Sequence, residues 1–506
     1  PVLRASTTAR LLIVGQAPGT RVHECGIPWN DASGKRLRQW LDIDEATFYD
    51  ESRVAIMPMG FCYPGRGASG DAPPRPECAP AWRVPLLARL PNIALTVAVG
   101  QYALAWHLAK TSGLQKIYVA PGNAGTAREL ELENLPLNDP FELADFAEQN
   151  GIHLTVVGPE APLAEGIVNL FRARGLRIFG PTKEAAQLES SKDFAKRFMV
   201  RHKIPTAAFV SFSDVAAAHA YVEEQGAPIV IKADGLSAGK GVVVATTLNE
   251  AHSAIDALFS APDARVVIEE YLEGEEASFI VMTDGKNVLP LATSQDHKHI
   301  GDGDTGANTG GMGAYSPALV VTPAIHAKAM REIILPAVRG MAAEGIPYSG
   351  FLYAGLMVSK DGSVKVLEFN CRLGDPEAQV VLMRLKSDLL QLFEHGMTGK
   401  LDQIEAEWDR RVALCVVLAA ANYPAPPRTG DLINGLPEDS EDVHVFHAGT
   451  VQQGDKIVSA GGRVLGVTAL GDNVKQAQKH AYDAVVGIHF EGMQYRRDIG
   501  SRAIVR

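Results

Sequence analysis

The sequence predicts a multidomain α/β protein, and three observations support this fold class. A chain of 506 residues corresponds to roughly three to four domains. Between residues 103 and 182, apolar strand segments alternate with helical segments, a pattern typical of a doubly wound parallel sheet. An apolar strand near residue 364 ends in carboxylate, amide and guanidinium side chains, which indicates a ligand site at the end of that strand.

The composition excludes several classes of protein. Hydrophobic residues make up 46% and charged residues 21%, as in ordinary soluble globular proteins. The net charge of −11 argues against nucleic-acid binding through a broad basic face. The five cysteines show no CxxC pair and no metal-ligand spacing, so we expect reduced thiols. No apolar run has transmembrane length and no signal peptide is evident, so we expect a cytoplasmic protein without a membrane anchor. The composition does not predict an oligomeric state.

The segment from Val364 to Gln379, VKVLEFNCRLGDPEAQ, carries the strongest chemical signal. Alternation along a strand places Glu368, Asn370 and Arg372 on one face. A carboxylate and an amide oxygen suit a hard cation such as Mg²⁺. A guanidinium can hold a phosphoryl oxygen through two hydrogen bonds. The alternative is a solvated edge strand with a charged face, and this segment alone does not decide between the two.

Two loops of the predicted parallel sheet follow strands directly, at the edge where such sheets bind ligands. They are Pro121–Thr126 and Gly158–Glu160. Asn123 and Glu160 could therefore contact a substrate. The alternative is that both residues only form turns.

A second chemical signal lies in Pro228–Ala245, where a buried strand carries Lys232 and a glycine-rich loop carries Lys240. Glycines let the backbone approach phosphates, and lysines supply positive charge, although the spacing is not that of a Walker loop. A flexible hairpin is the alternative. Upstream of this segment, the pattern predicts a helix over Lys183–Ala207.

Two further segments complete the predicted site. Val266–Gly285 predicts a strand, an acidic connector and a second strand. Gln295–Pro317 predicts a long loop rich in Gly, Asp and Asn, and a loop of this length inside a compact domain is usually functional. Together with the lysine-bearing segment and the strand that ends at Glu368, they predict one site for ATP and a second small substrate.

The front of the chain, from about residue 9 to 103, resembles part of the uracil-DNA glycosylase family. The resemblance depends on four segments: Gly15–Gly19, Gly26–Leu41, Met57–Gly65 and Leu95–Ala103. It implies a loop that approaches a flipped nucleotide, with Phe61 stacking on the base.

The front segment also departs from that family. Ala17 stands where several relatives carry a catalytic acid, and no His-Pro-Ser loop follows the third strand. We therefore expect a structural remnant without base-excision activity of its own.

From about Ala103 to the C-terminus, the chain resembles the phosphoribosylamine–glycine ligase family of ATP-grasp enzymes. The shared motifs occur in the family's order: PGNAGTA, GPEAPLAEG, SSKDFAKRFM, IKADGLSAGKGV, EEYLEGEEASF, QDHKHIGDGDTGANTGGMGAYSP and VLEFNCRLGDPEAQ, followed by GDLINGLP, VFHAGT and GMQYRRDIG. The resemblance implies an ATP-grasp fold with a doubly wound N-terminal parallel-sheet domain and a small C-terminal α+β domain. The implied segments are 1–103 (glycosylase-like), 104–184 (substrate domain, first strand from 93–100), 185–400 (ATP-grasp) and 401–506 (C-terminal).

The resemblance also implies roles for matched residues. Glu368 and Asn370 would bind Mg²⁺ or Mn²⁺, and Arg372, with Lys232, would act on the transferring phosphoryl group. The residues implied to bind ATP are Lys192, Lys232, Lys240, Glu269, Glu270, Leu272 and Glu276, with adenine at the backbone of Glu269–Leu272 and the ribose near Glu276. The residues implied to bind glycine and 5-phosphoribosylamine are Asn123, Glu160, Asp296, Asn308, Thr309, Gly310, Gly311, Met312 and Gly313.

The chain departs from the ligase pattern in two ways. His299, Ala307 and Leu373 stand where Arg, Pro and Phe are expected. At the front, the GGGGREHA-like loop of the family is absent, and a glycosylase-type strand joins the ligase near Tyr102–Leu104. Backbone N–H groups of a glycine-rich helix start are anion ligands, so this change is expected to weaken phosphoribosylamine binding.

The implied reaction joins glycine to 5-phosphoribosylamine at the expense of ATP, through glycyl phosphate. Two alternatives are another ATP-dependent carboxylate–amine ligase of the same architecture, and a DNA-binding or base-excision protein with an inactive ligase. The motif QDHKHIGDGDTGANTGGMGAYSP argues against the first alternative. The acidic balance and the missing glycosylase motif argue against the second.

Overall fold

The computed structural model describes residues 11–13, 22, 27–30, 32–40, 44–50, 54–56, 66–67, 70–71, 95–99, 102–111, 116–236, 241–261 and 263–504. The chain divides into a front unit (1–96, 112–116 and 149–153) and a main unit (97–111, 117–148 and 154–506). No helix among the described residues is both long enough and apolar enough to span a membrane.

The described part of the front unit contains one parallel strand pair and two short helices. Leu11–Ile13 pairs with Val54–Ile56, and the helices are Ala32–Trp40 and Glu45–Phe48, the second capped by Asp44. The other strands are Arg66–Gly67 and Gly70–Asp71. The glycosylase-like loop Gly15–Gly19, Ala17 and Phe61 lie outside the described residues.

From residue 95 onward, helices and strands alternate along the chain. The α-helices are Tyr102–Ala109, Pro140–Gln149, Glu160–Glu165, Ile167–Ala173, Gln187–Ser190, Lys192–Arg201, Val215–Gln225, Leu248–Leu258, Pro323–Ala329, Leu335–Ala343, Glu377–Arg384, Leu389–Met397, Val474–Gly487 and Ser501–Ile504, with 3₁₀ turns at Thr126–Arg128 and Leu401–Gln403 and a π-helical turn at Met330–Ile334. The strands are Leu95–Val99, Lys116–Ala120, Leu132–Asn134, Leu154–Val157, Ile178–Phe179, Phe209–Phe212, Ile229–Ala233, Val242–Ala245, Val266–Glu270, Glu275–Asp284, Val288–Pro290, Gln295–Asp296, His299–Gly301, Thr305–Asn308, Gly313–Ser316, Ser349–Val358, Val364–Asn370, Val412–Ala419, Val443–His447, Thr450–Gln453, Lys456–Ser459 and Arg463–Gly471.

The first large sheet has five strands, and Leu95–Val99 is the central one. Lys116–Ala120 and Leu132–Asn134 lie in that order on one side, and Leu154–Val157 and Ile178–Phe179 on the other. The outer pairs are parallel. The predicted alternation of strands and helices is confirmed, and Leu95–Val99 occupies the centre of the sheet.

The next sheet, which we call the small sheet, has four antiparallel strands. Its order is Phe209–Phe212, Val266–Glu270, Ile229–Ala233 and Val242–Ala245. Apolar side chains of its strands pack against two helices, Val215–Gln225 and Leu248–Leu258, and form a hydrophobic core with them. The buried residues of this core are Ala218, Val222, Ile229, Ile231, Ala245, Ala251, Ala254, Ile255, Val266 and Ile268.

The strand with the strongest sequence signal, Val364–Asn370, is the edge strand of a separate four-stranded sheet. Its register shifts so that Gly355 pairs with Glu368 but Leu356 pairs with Val366. The open edge is covered, because the Val366 N–H donates to the Pro205 carbonyl at 2.8 Å. The strand ends before Arg372, so the predicted i, i+4 alternation does not reach that residue.

The predicted long loop Gln295–Pro317 is wrong as a structureless loop. It contains two strands, His299–Gly301 and Thr305–Asn308, that pair with each other. Its ends join the five-stranded C-terminal sheet, where Gly313–Ser316 pairs with Val412–Ala419. These strands are too short to show the alternation of apolar and polar residues that would identify them in the sequence. Glycine and aspartate occupy the turns between them.

The predicted single helix over Lys183–Ala207 is also wrong. The structure has two helices, Gln187–Ser190 and Lys192–Arg201, separated at Ser191. The Ser191 hydroxyl accepts from the Phe194 N–H at 3.2 Å and caps the second helix. Side-chain capping therefore starts a new helix where the apolar pattern alone indicated continuity.

Buried histidines give the main unit a pH-sensitive stability. His107 is 5% exposed, and its Nε2 lies 2.9 Å from the Leu385 carbonyl oxygen. Burial lowers the pKa of His107 to about 4, although the carbonyl contact opposes that shift. His107 is therefore neutral in the folded state at neutral pH.

We expect the free energy of unfolding to fall as pH decreases from about 6.5 to about 4, because the unfolded chain then binds a proton at His107 that the folded chain does not. The slope per such histidine is about 1.4 kcal/mol per pH unit. His107→Gln should reduce the change in unfolding free energy between about pH 7 and about pH 5 in chemical denaturation. His489→Gln, at an exposed position, is the control; equal pH dependence in both variants would contradict the expectation.

Candidate active site

A cavity of about 710 Å³ in the main unit brings most of the predicted site residues together. Its lining includes apolar side chains: Leu188, Met199, Val230, Leu272, Met357, Leu367 and Phe369. It also includes many charged side chains: Glu160, Glu189, Lys192, Lys196, Lys232, Glu269, Glu276, Asp296, Lys298, Glu368, Arg372, Asp375, Glu377 and Arg463. A lining of both kinds suits a ligand that has an apolar ring and anionic groups.

The end of the strand Val364–Asn370 places three polar side chains at the cavity. Glu368 and Asn370 leave the strand on the same side, and Arg372 follows in the bend. Arg372 Nε donates to Glu160 Oε2 at 3.0 Å, and its Nη2 lies 3.4 Å from Glu189 Oε1. Burial opposes the charge on Arg372, but Glu189 and Glu160 outweigh it and raise its pKa. The guanidinium is therefore fixed in place and charged.

Glu368 is surrounded by basic groups. Burial alone would raise its pKa, but Lys298, Lys232 and Lys192, with Arg372, lower it to about 2. Lys298 Nζ lies 3.7 Å from Glu368 Oε1 and also pairs with Glu276. The carboxylate of Glu368 therefore stays ionised at any physiological pH.

Lys192 is positioned by the start of its helix. Its N–H donates to Asp234 Oδ1 at 2.6 Å, and its Nζ donates to the Gly235 carbonyl at 2.8 Å. Burial lowers its pKa, while Glu368 opposes the shift. The contacts hold the amine beside the turn that follows the strand Ile229–Ala233.

Glu269 lies between two lysines in the interior. Glu269 Oε2 is 2.7 Å from Lys196 Nζ, and its Oε1 is 3.0 Å from Lys232 Nζ. Burial lowers the pKa of Lys196 to about 8, and Glu269 opposes that shift. The backbone of Glu269 pairs with both neighbouring strands of the small sheet, at Phe209 and Val230. The predicted contact of the Glu269–Leu272 backbone with a purine stays a prediction, and Glu269 lies in the paired part of that segment.

Asp296 lies on the acidic side of the cavity. Burial and the nearby Glu377 raise its pKa, while Lys298 opposes the shift. Gly311 allows the chain to pass close to it: a Cβ at Gly311 would lie 2.9 Å from Asp296 Oδ1 and 2.5 Å from Pro376 Cδ, and its φ of +113° favours glycine. An acidic pocket of this kind suits an ammonium group.

A second cavity, of about 250 Å³, shares Asp375 with the large one. Tyr102, Asn123, Thr126 and His447 also line it. Asn123 Nδ2 donates to the His447 carbonyl at 2.8 Å, and its Oδ1 accepts from the Gly125 and Thr126 N–H groups. The side chain of Asn123 therefore holds two loops together.

The structure brings together fourteen of the predicted residues at the large cavity: Glu160, Lys192, Lys232, Glu269, Glu270, Leu272, Glu276, Asp296, Asn308, Thr309, Gly310, Glu368, Asn370 and Arg372. Asn123 lies at the second cavity instead. Gly311, Met312 and Gly313 are not among the lining residues; Met312 is fully buried, and Gly313 pairs with Val416 in the C-terminal sheet. Lys240 lies outside the described residues.

Sequence reasoning did not single out several cavity residues. Lys298 and Lys196 lie within quoted motifs and Glu189 directly precedes one, but nothing in the sequence shows their partners. Arg463 comes from the C-terminal sheet; its Nη1 donates to the Gly310 and Asp375 carbonyls at 2.6 Å, and its Nη2 lies 3.0 Å from Asp375 Oδ2. No local signal connects residues this far apart in the chain.

The oxygen donors at this site fit a hard divalent cation. Glu368 supplies an ionised carboxylate and Asn370 an amide, and both line the cavity. Mg²⁺ and Mn²⁺ take such oxygen ligands and complete their coordination with water and phosphate. No histidine or cysteine is required at the strand end.

The fold and the site together define the class of protein. An antiparallel small sheet with a buried lysine and a second sheet with an acidic strand end both line the cavity. This is the ATP-grasp architecture. The same fold occurs in the biotin carboxylase domain of 2-oxoglutarate carboxylase from Hydrogenobacter thermophilus, which was solved with MgADP. The two chains are 18% identical with a TM-score of 0.60, and the match covers 79% of this chain and 91% of that domain.

Three family models match successive parts of the chain. They are the N domain of phosphoribosylglycinamide synthetase at residues 99–189, the ATP-grasp (A) domain at 190–378 and the C domain at 413–502. The phosphoribosylamine–glycine ligase of Ralstonia nicotianae is 62% identical over 411 residues, 80% of this chain and 97% of its own. The phosphoribosylamine–glycine ligase of Thermotoga maritima is 33% identical in its crystal structure, with a TM-score of 0.70 over 80% of this chain and 100% of its own. The chain belongs to the phosphoribosylamine–glycine ligase family and is a ligase.

The matches leave the front of the chain unassigned. The family models begin at residue 99. The resemblance of residues 9–103 to uracil-DNA glycosylases is not supported by these comparisons, and its key motifs lie outside the described residues.

The buried charge at Glu269 leads to a stability prediction. Glu269→Gln should leave Lys196 and Lys232 without their carboxylate and destabilise the protein by about 3–5 kcal/mol. Glu270→Gln is the matched control, since the adjacent Glu270 pairs with Lys365 where both side chains are about two-fifths exposed, and its loss should cost about 0–1 kcal/mol. Chemical denaturation measures both, and equal destabilisation would contradict the expectation.

Proposed function

We propose that the large cavity catalyses the ligation of glycine to 5-phosphoribosylamine, forming glycinamide ribonucleotide, ADP and phosphate. The observation that carries this proposal is the meeting of an ionised Glu368 with Asn370, Arg372 and Lys232 in one cavity whose lining also includes apolar side chains. Membership of the ligase family supports the choice of substrates. Glycine-dependent ADP release, measured with and without phosphoribosylamine, tests it.

ATP would bind with its purine against apolar side chains of the lining and its phosphates toward the lysines. Tyr271 and Leu272 follow the last paired residue of the strand Val266–Glu270, so their backbone groups are the ones we assign to the purine edge. Glu276 would lie near the ribose. Lys192 and Lys232 would contact the phosphates, with Lys240 added from the glycine-rich loop.

Glu368 and Asn370 would hold Mg²⁺ or Mn²⁺. The metal, when bound, would neutralise charge on the ATP phosphates and orient them. Lys298 contacts Glu368 from one side. It therefore limits the directions from which a metal ion could approach the carboxylate oxygens.

The first chemical step would transfer the γ-phosphoryl group from ATP to the glycine carboxylate. The carboxylate oxygen forms the new bond to phosphorus, and the bond to the ADP oxygen breaks. Arg372 would stabilise the charge that develops on the transferring group, and its two carboxylate partners keep it in one orientation. Asp296 would accept a hydrogen bond from the glycine ammonium.

In the second step, the amine of phosphoribosylamine would attack the carbonyl carbon of glycyl phosphate. Phosphate leaves with the bonding electron pair, and the amine loses a proton. Asp375 borders both cavities, so the second cavity is a reasonable place for the ribosyl phosphate. Asn308, Thr309 and Gly310 would complete the boundary between the two substrates, whereas Gly311, Met312 and Gly313 would act by shaping the loop.

Other carboxylate–amine ligases of this architecture remain the alternative. The acidic surroundings of Asp296 favour an amino-acid substrate with a free ammonium group. Replacement of phosphoribosylamine by other amines in the ADP-release assay decides between the two. Base excision is not part of the proposal, because the second glycosylase motif does not occur in the sequence.

We expect Glu368→Gln to reduce glycine-dependent ADP release at least a hundredfold, because the substitution removes the negative charge that holds the metal. Glu438→Gln, an exposed substitution, should retain activity. The ADP-release assay at saturating Mg²⁺ measures both variants. Near-normal turnover in the Glu368 variant would contradict the proposed metal site.

The altered helix start near Tyr102 should raise the apparent KM for phosphoribosylamine more than that for ATP. Tyr102 lines the second cavity, where its hydroxyl donates to Glu129 Oε1 at 2.5 Å. Replacing the residues before Leu104 with a GGGGREHA-like loop should lower the KM for phosphoribosylamine and leave the KM for ATP unchanged. An unchanged KM ratio after that replacement would count against this placement of the ribosyl phosphate.

A further inference from the structure

Two histidines face each other across the helix pair that covers the small sheet. His219 lies on the helix Val215–Gln225 and His252 on the helix Leu248–Leu258, with their Nδ1 atoms 2.6 Å apart. Both side chains are partly open to solvent, at 28% and 27% exposure. None of the atoms involved belongs to the cavity described above.

A carboxylate contacts the outer nitrogen of each ring, in a crossed arrangement. His219 Nε2 lies 2.9 Å from Asp256 Oδ1 of the opposite helix, and His252 Nε2 lies 2.7 Å from Glu223 Oε1. Each helix therefore supplies one imidazole and, four residues later, the carboxylate for the other imidazole. The two helices are fixed relative to each other by their apolar contacts at Val222, Ala251 and Ile255.

The carboxylates determine which nitrogen of each ring carries its proton. An ionised carboxylate can only accept a hydrogen bond, so each Nε2 is the donor. Both Nδ1 atoms then present lone pairs to each other at 2.6 Å. Two lone pairs at that distance repel unless a cation lies between them.

We propose that His219 and His252 form a binding site for one divalent transition-metal ion such as Zn²⁺ or Cu²⁺. A neutral imidazole whose other nitrogen donates to a carboxylate is the usual form of a histidine metal ligand. Nitrogen ligands at about 2.0–2.1 Å in tetrahedral geometry lie about 3.3 Å apart. The rings therefore separate by less than about 1 Å on loading, and water completes the coordination on the exposed side.

A second group of potential ligands provides an internal control. Single ligand atoms of Glu129, Asp439 and His444 lie within 4.8 Å of one another. In that group, however, His444 Nδ1 is 2.9 Å from Asp439 Oδ1, so the carboxylate and the ring nitrogen already contact each other. It contains only one histidine, which makes it distinguishable from the paired site by the number of nitrogen ligands.

Cu²⁺ added to the purified protein, with Mg²⁺ in excess, tests the proposal. The electron paramagnetic resonance spectrum should show hyperfine coupling to two equivalent imidazole nitrogens at one bound equivalent. His219→Gln and His252→Gln should each weaken binding at least tenfold, and Glu223→Gln should weaken it about tenfold to a hundredfold. Asp439→Asn should leave both the affinity and the spectrum unchanged.

Zn²⁺ gives a second measurement that does not depend on activity. It should raise the melting temperature of the wild-type protein, reversibly on adding a chelator, and should not raise that of His252→Gln. The site is refuted if the copper spectrum of the wild-type protein shows fewer than two nitrogens. It is also refuted if a folded His252→Gln protein binds Cu²⁺ as tightly as the wild type. Failure of the wild-type protein to bind copper would refute it too, and would indicate that the two Nδ1 atoms share a proton instead.

Discussion

The concentration of basic groups around Glu368 is the constraint on which the rest of the site depends. Lys192, Lys232, Lys298 and Arg372 come from four separate elements, and together they lower the pKa of a carboxylate that burial would otherwise raise. Three of these cations also pair with other carboxylates: Lys232 with Glu269, Lys298 with Glu276, and Arg372 with Glu160 and Glu189. Because one uncompensated buried charge costs several kcal/mol, the positions of the groups are mutually dependent.

The C-terminal domain takes part in this arrangement. Arg463 holds the Gly310 carbonyl and Asp375, and the Gly310 N–H donates to the Tyr423 hydroxyl at 2.9 Å. Gly313–Ser316 is a strand of the C-terminal sheet. The segment between Gln295 and Pro317 is therefore fixed by contacts with the C-terminal domain. Those of its polar residues that border the cavity have a defined conformation.

Whether a sequence prediction was correct depended on how far apart along the chain the interacting residues lie. Strands with long apolar runs, such as Ile229–Ala233 and Glu275–Asp284, were predictable because their signal is local. The break at Ser191 and the strands within Gln295–Pro317 were not, because a hydroxyl cap and pairing with distant strands decided them. Among the site residues, Glu368, Asn370 and Arg372 were predicted from spacing. Their partners Lys298 and Glu189 were not, since no local pattern encodes an ion pair.

The sequence by itself determined the α/β alternation, the ATP-grasp motifs in their order and the oxygen donors at a strand end, because these depend on neighbours within a few residues. Only the tertiary structure decided that Glu269 neutralises two lysines and that Asn123 joins two loops. It likewise decided that His219 and His252 face each other. Each of these outcomes requires groups from distant segments to meet within hydrogen-bond distance, and such distances are set by packing of the whole chain.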